Sequence, residues 1–227
     1  MASSTLFNLV NSVLRLSGDL NDITDTGGTS DVHDAAGGVG RRITEMLNLV
    51  ITKIEREGNW AALREDSFGT TDGVNDTYEF IGAADARGSG TVAVWVSGYG
   101  RLDEVTAEQF AKLVAEGGVA ASTPLYFQRQ LSAAGNLQIQ MYPLPAANLT
   151  VNVSAYRKAT KFSTNPAVDT ETTEFDDDIL VTGALMHLDL YDGLQRGYDV
   201  LFKDALNMMK LESMSNKHIR IEFEDYR

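Results

Sequence analysis

Cysteine is missing from the 227 residues of this sequence, which excludes disulfide frameworks and thiolate metal sites. Histidine is scarce, since His33, His187 and His218 are the three residues of this type and no two lie close in sequence. A histidine metal site or a Ser-His-Asp triad would need distant pairing that no spacing in the sequence indicates. We therefore expect no metal ion and no other cofactor, and we predict that the protein is not an enzyme.

Positive charge is also in deficit, because 19 Lys and Arg are outnumbered by 32 Asp and Glu, giving a formal net charge of −13. Proteins that grip nucleic acid or dock on anionic membranes carry clustered Lys and Arg. No apolar run approaches the roughly 20 residues that span a bilayer. The N-terminal residues 1–5 lack the basic and apolar regions of a secretory signal. These absences predict a soluble protein that acts where it is made, without membrane contact.

Two helices are predicted in the first part of the chain. The first has apolar residues at helical spacing and ends at Ser17-Gly18; they are Leu6, Leu9, Val10, Val13 and Leu16. The second ends at Gly58 and has a stripe formed by Ile43, Met46, Leu47, Val50 and Ile54. Because Leu49 and Ile51 fall outside that stripe, this helix is expected to be covered on more than one side.

Short β segments replace the helices between Phe68 and about Tyr156. The candidates are Thr77–Ile81, Thr91–Ser97, Leu125–Leu131, Leu137–Tyr142 and Leu149–Tyr156. Alternation puts Leu137, Ile139 and Met141 on one face of their strand, and Val151, Val153 and Ala155 on one face of theirs. Val105–Ala115 is the exception in this zone, a predicted helix with Thr106 as its N-cap.

Helices return after Asp176-Asp177-Asp178. The segment from Ile179 to about Asp192 is apolar on nearly every side, which is typical of a central, buried helix. Gly193 and Gly197 interrupt the pattern before a further helix with the apolar residues Val200, Leu201, Leu206, Met208 and Met209. In the last eleven residues, Lys217–Arg227, apolar and charged residues alternate, which predicts an extended segment.

A series of short motifs runs from the end of the second helix into the last helical zone. They are Trp60 with Leu63, Phe68-Gly69-Thr70-Thr71, Tyr78-Glu79-Phe80, Pro124-Leu125-Tyr126-Phe127, Gly135-Asn136-Leu137-Gln138-Ile139, Tyr142-Pro143-Leu144-Pro145-Ala146-Ala147, Val153-Ser154-Ala155-Tyr156-Arg157, Phe175-Asp176-Asp177-Asp178-Ile179-Leu180 and Gly183-Ala184-Leu185. In this order they resemble the head-to-tail adaptor (connector or head-completion) family of tailed bacteriophages, over about residues 43–206. The chain departs from that pattern in its long Asp19–Gly40 loop and in an insertion at Gly82–Gly90.

The zones predict an α+β fold, with a small antiparallel β domain inserted into a helical bundle that is built from the N- and C-terminal segments. We expect residues 1–64 and 173–216 to form the helical bundle, residues 65–172 the inserted β domain, and residues 217–227 an extended C-terminal arm.

The resemblance implies a structural virion protein of the head-tail junction, assembled in the host cytoplasm. Such a protein forms a homo-oligomeric ring, a dodecamer, that binds below the portal protein and provides the platform for tail or nozzle proteins. DNA only passes through the channel, without sequence-specific binding. Two alternatives remain: another virion subunit, of the tail tube or of tail completion, and a virion-associated cell-wall hydrolase.

Assembly is the mechanism that we expect. The helices are expected to pack on one another and on a neighbouring copy, and the acidic surface to line the DNA channel. The arm is expected to add a strand to the portal or to a neighbouring subunit. Its partner-binding residues would be Lys217, Ile219, Arg220, Ile221, Phe223, Tyr226 and Arg227.

Other chemistry has weaker support in the sequence. The glycine-rich segment Gly37–Arg42 lacks the Lys and the Ser or Thr of a phosphate-binding loop, which favours a loop and a helix start. Asp19, Asp22 and Asp25 do not have the alternating spacing of an EF-hand. A divalent-ion site at Asp31, His33 and Asp34 would be three ligands on a loop without supporting contacts.

Carboxylates and aromatic residues are the remaining candidates. Asp176, Asp177 and Asp178 could be a carboxylate pair for glycoside cleavage. Their place at a helix start favours capping, since carboxylates there oppose the positive end of the helix. A sugar-binding face could be built from aromatic residues, but in strands these are more often core or subunit contacts. They are Trp95, Tyr99, Tyr126, Phe127 and Tyr142.

Overall fold

The chain folds into two compact units. The computed structural model describes residues 4–18, 32, 38–81, 92–117, 122–164, 169–192 and 196–224, with the backbone alone at 81, 192 and 214–224. A helical unit is built from both ends of the chain, up to Ala62 and from Ala159, and a β-rich unit spans Leu63–Lys158. The predicted α+β class is thus confirmed. Within the described ranges, no helix has the length and apolar character needed to cross a membrane.

Four α-helices form the helical unit as described: α1 (Leu6–Ser17), α2 (Val39–Glu57), and two further helices at Asp177–Asp192 and Tyr198–Glu224. The predicted ends of the first two are confirmed. Gly18 closes α1 in the left-handed conformation, at a φ of 92°, and its N–H donates to the carbonyl of Arg15. Gly58 ends α2.

The helix Asp177–Asp192 is central in the helical unit, as predicted. It packs against α1, α2 and Tyr198–Glu224. Its buried residues lie all round the helix axis: Ile179, Leu180, Val181, Ala184, Leu185, Met186 and Leu188. Because three helices cover it, little of its circumference is left for polar residues.

Two polar side chains of α2 hold the returning chain. The amide of Asn48 donates to the Phe162 carbonyl at 2.8 Å, and its oxygen accepts from the Phe162 N–H at 2.9 Å. The buried carboxylate of Glu55 accepts from the Ala159 N–H at 2.7 Å. These bonds satisfy backbone groups that would otherwise be buried without partners, so they stabilise the point where the chain rejoins the helical unit.

The last helix differs from the expected arm. Residues 217–224 continue the helix that begins at Tyr198, so the prediction of an extended segment is wrong for them, and residues 225–227 lie outside the described residues. A helix satisfies each backbone N–H within its own segment, whereas an extended strand needs a second strand. Alternation of apolar residues over so few positions did not outweigh this local gain.

The β-rich unit contains eight strands and one α-helix among its described residues. The helix, α3, spans Ala107–Glu116. The strands are β1 (Arg64–Thr70), β2 (Thr77–Ile81), β3 (Ala93–Val96), β4 (Gly100–Arg101), β5 (Asp103–Glu104), β6 (Tyr126–Leu131), β7 (Leu137–Tyr142) and β8 (Thr150–Tyr156). They form two sheets, in the orders β1-β8-β3-β4 and β2-β7-β6-β5. Pairing is antiparallel except between β5 and β6.

The two sheets enclose one apolar core, and the predicted alternation is confirmed. Leu137, Ile139 and Met141 of β7 are buried in it, as are Val151, Val153 and Ala155 of β8. Thr106 caps α3 as predicted, in a reciprocal capping box with Gln109. We number the helices Asp177–Asp192 and Tyr198–Glu224 as α4 and α5.

Strand β1 was not predicted. Its first residues, Arg64 to Ser67, are polar and show no alternation that would indicate a strand. It forms because β8 pairs with it along its whole length, from Arg64 opposite Tyr156 to Thr70 opposite Thr150. Backbone pairing with a strand far away in sequence therefore decided this element, and the side chains did not.

Candidate partner-binding surfaces

The residues predicted to bind a partner lie at the end of α5. The backbone of Lys217, Ile219, Arg220, Ile221 and Phe223 is helical. Their side chains, and the whole of Tyr226 and Arg227, lie outside the described residues. The helical backbone puts Ile219 and Phe223 one turn apart, on one side of the helix, and Ile221 on another. The strand-addition geometry expected for this segment is therefore not present at 217–224.

Helix α5 has two apolar faces, of which one is buried and the other is exposed. Phe202 and Leu206 are buried, and the opposite side of the helix leaves four apolar side chains 52 to 62% exposed: Val200, Leu201, Met208 and Leu211. At about 100° per residue, these four lie within an arc of about 100°, in which Val200 and Leu211 are roughly opposite Phe202. The sequence does place apolar residues on two sides of this helix, but only the packing shows which side is covered.

The end of α4 adds two exposed apolar residues, Leu190 and Tyr191. The guanidinium of Arg42 from α2 lies 4.1 Å from the centre of the Tyr191 ring. A cation over an aromatic face at this distance is attractive, and the attraction orients both side chains. This part of the surface therefore combines an ordered aromatic ring with a positive charge.

Helix α2 has an outer face of mixed character. Leu49 and Ile51 were the basis for predicting that this helix is covered on more than one side. Ile51 is buried as expected. Leu49 is 57% exposed, so the prediction is wrong for Leu49 in the single chain. Arg41 and Arg56 are exposed on the same side of the helix. Arg41 pairs with Glu45 at 3.4 Å, one turn along. An exposed leucine between two arginines is thus the dominant feature of this surface.

His187 lies on α4. It is half-buried, and its Nε2 has no hydrogen-bond partner among the described residues. Burial lowers the pKa of His187 below its ordinary value of 6.5, and the positive charge of Lys53 on α2 lowers it further. The ammonium of Lys53 itself lies over the Phe202 ring, 4.9 Å from the ring centre. The neutral imidazole is therefore the favoured form at this helix contact.

We expect His187 to make the protein less stable in mild acid. The pKa of His187 is 6.5 in the unfolded chain and lower in the folded protein. Above pH 6.5 the ring is neutral in both states, and its contribution to stability is at its maximum. That stability is lost as the pH falls through 6.5 towards the folded pKa. Urea unfolding at about pH 7.5 and about pH 5.5 should therefore show a larger loss in the wild type than in His187→Gln, which cannot titrate there. Equal losses in the two proteins would contradict this account.

The three aspartates at the start of α4 are placed differently from a catalytic carboxylate pair. The carboxylate of Asp177 accepts a hydrogen bond from the Ser4 N–H at 3.0 Å and a second from the Ser4 hydroxyl. It therefore ties the N-terminal segment to α4, a contact that the sequence did not indicate. Asp177 and Asp178 still lie in the first helical turn, where negative charge is favourable.

The aromatic residues of the β-rich unit do not form one face. Phe127 is buried in the core, and Tyr142 packs edge-on against Phe110 of α3, with ring centres 6.2 Å apart. Trp95 is half-buried on β3, and Tyr99 is exposed in the turn after it. The expectation of core contacts is confirmed for Phe127.

The turn between β1 and β2 contains Asp72, a carboxylate whose pKa is shifted by hydrogen bonds. The N–H groups of Asn75 and Val74 donate to the carboxylate of Asp72, and so does the Tyr78 hydroxyl at 2.7 Å. These donors hold the pKa of Asp72 well below its usual range. Burial, and then the negative charge of Asp72, raises the pKa of Tyr78. The donors to Asp72 belong to the turn and to the start of β2, so the shifted pKa has a structural cause.

The loop candidates for ion and phosphate binding can be placed only in part. Gly38 precedes α2 at a φ of 69°, and the expected helix start follows it at Val39. Gly37, and all of Asp19, Asp22, Asp25, Asp31, His33 and Asp34, lie outside the described residues. Elsewhere in the described part of the chain, no three His, Asp or Glu side chains are placed to hold a metal ion.

The exposed apolar residues of α2, α4 and α5 thus make these helix faces candidates for binding another protein. In comparisons with known proteins, no family model and no curated protein matches this chain.

Proposed function

We propose that this protein is a structural subunit of a tailed-phage virion, a head-to-tail adaptor that assembles as a ring below the portal protein. It is assembled in the host cytoplasm, provides the platform for tail or nozzle proteins, and needs no catalytic residue or cofactor. DNA passes through the ring without sequence-specific binding. The order of sequence motifs over about residues 43–206 supports the adaptor role.

The exposed face of α5 is the observation that carries the assembly part of this proposal. Four apolar side chains, about half or more exposed, lie on one side of a helix whose other side is already packed on α4. Burying a side chain of this size fully is worth roughly 1.5–3 kcal/mol. A monomer gains nothing from leaving the face uncovered, whereas a ring covers it in every subunit.

Charge and the C-terminal helix support the remaining parts. A net charge of −13 suits a subunit around a DNA channel, because like charge keeps the passing duplex from sticking. The end of α5, residues 217–227, is the proposed portal contact, as a helix through Glu224. An amphipathic helix can lay one face into a groove of a partner, and twelve such contacts act together by avidity.

Mass photometry of the purified protein, alone and mixed with candidate portal rings, tests this function. A dodecamer of chains of 24.7 kDa adds about 300 kDa to the portal, in one discrete step. We expect that mass shift with the portal and none with tail-tube proteins alone. A chain that ignores the portal and binds a tail subunit would overturn the adaptor role in favour of a tail-completion role.

A truncated chain that ends at Asn216 tests the portal contact separately. It lacks the proposed contact but keeps every described side chain of the helical unit. We expect it to keep its folded stability and to lose portal binding. Full retention of portal binding by this chain would show that residues 217–227 are not the contact.

A further inference from the structure

We propose that the ring contact is heterologous: the exposed face of α5 in one copy packs on the outer face of α2 in the next copy. This inference rests on the proposed ring and names the two surfaces that build it. Both surfaces belong to the helical unit. Each has exposed apolar side chains, and the net charges of their polar residues are opposite.

The α5 face is acidic at its polar positions. Leu201, Asp204, Met208 and Leu211 follow one another at intervals of three and four residues, so they form one stripe along the helix. Asp204 is the charged member of this stripe, and Glu212 is exposed at its edge. Two lysines lie beside this stripe, and each forms an ion pair with a carboxylate outside it. Lys203 pairs with Asp199 at 3.5 Å, and Lys210 pairs with Glu57 at 3.0 Å.

The α2 face is basic at its polar positions. Its stripe also repeats at intervals of three and four residues, and consists of Arg41, Glu45, Leu49, Thr52 and Arg56. Leu49 is its exposed apolar centre. Arg41 pairs with Glu45 at 3.4 Å, so two arginines and one glutamate leave this stripe with a net charge of +1, on a chain whose net charge is −13.

Opposite charge decides which occupant suits each face. Two copies of an acidic chain repel each other, so a locally basic surface opposite an acidic one favours a contact between them. A parallel pairing of α5 with α5 would place Asp204 against Asp204, and pairing α2 with α2 would oppose the arginines. Pairing α5 with α2 avoids both, and because the two faces differ, the contact repeats head to tail and can close into a ring.

Single cysteines test the pairing directly, because the natural chain has none. Chains with Leu49→Cys and chains of a different tag length with Met208→Cys are mixed and treated with a short bis-maleimide. We expect the mixed product in at least about fivefold excess over either homodimer, since a heterologous contact never joins two copies of one patch. Met208→Cys mixed with Val74→Cys, an exposed site in the β-rich unit, is the control and should give no such excess. A statistical mixture of the three products overturns the inference.

Charge reversal tests the electrostatic part with the same readout. Asp204→Arg in the Met208→Cys chain should lower the mixed product at least about tenfold, because it faces arginines. Arg41→Glu with Arg56→Glu in the Leu49→Cys chain should then restore it. Failure to restore the product would overturn the pairing of these charges. The altered residues are exposed, so the substitutions are not expected to prevent folding.

The cross-link is measured without portal, so the two proposals can fail separately. Mixed product from a protein that ignores portal keeps this inference and overturns the adaptor role. A discrete portal-bound ring without mixed product keeps the adaptor role and overturns this inference.

Discussion

Replacing Phe202 by alanine is expected to lower the free energy of unfolding of the helical unit by about 3–5 kcal/mol. Phe202 is 1% exposed and is the largest buried side chain that α5 places against the rest of the unit. Its ring lies beneath the Lys53 ammonium and next to Gly183 of α4. Truncation therefore leaves a cavity and removes an aromatic partner from a buried helix contact.

The chain offers both a matched control and a local reporter for this prediction. Leu201→Ala, at the neighbouring and exposed position, should change the free energy of unfolding by less than about 0.5 kcal/mol. The two tryptophans, Trp60 and Trp95, lie one in each unit. In a Trp95→Phe background, Trp60 fluorescence during urea unfolding therefore reports on the helical unit. A loss below about 1 kcal/mol for Phe202→Ala would contradict the docking of α5 on α4.

Gly183→Ala is expected to destabilise the helical unit by about 1–3 kcal/mol, although alanine is the better helix former. A Cβ at this position would lie 2.7 and 2.8 Å from the two Cγ atoms of Val50 and 3.0 Å from Cδ2 of Phe202. Val50 is fully buried in α2, and a valine in a helix has one strongly preferred rotamer, so it cannot turn away. The added methyl group must therefore push α2 or α5 away from α4.

A double-mutant cycle with Val50→Ala separates this clash from other effects. Val50→Ala alone leaves a cavity, but it also removes the atoms that an alanine at 183 would meet. The double variant should thus be less destabilised than the sum of the single variants, by roughly 0.5–3 kcal/mol. Additive losses would show that α2 and α4 do not approach each other at Gly183.

Much of the fold was predictable because it depends on neighbours along the chain. The end of α1 at Gly18 and the capping box of α3 use residues within one helical turn. The buried faces of β7 and β8 follow from strict alternation. The central place of α4 follows from apolar residues on nearly all its sides. Such features depend on local backbone geometry and on the number and spacing of apolar residues, and both can be taken directly from the sequence.

The candidate surfaces were predictable only in part. Apolar coverage beyond the needs of one core indicated contact with another copy. Packing alone shows that Ile51 is covered while Leu49 is exposed, and that Phe202 faces α4 while Leu201 does not. Packing also determines the charge of each exposed stripe, because it decides which residues of the helix remain on the surface.

The α+β class, the helix ends with local caps and the alternating strands of the core were all predictable from residues close together in the chain. The formation of β1 and the binding partner of Asp177 depend on tertiary contacts. Tertiary structure also decided which sides of α2 and α5 remain exposed. A polar segment such as Arg64–Ser67 becomes a strand because a partner strand satisfies its backbone, and Asp177 binds Ser4 because the fold brings them together. Contacts between residues far apart in the chain carry no local signal, so the fold alone reveals them.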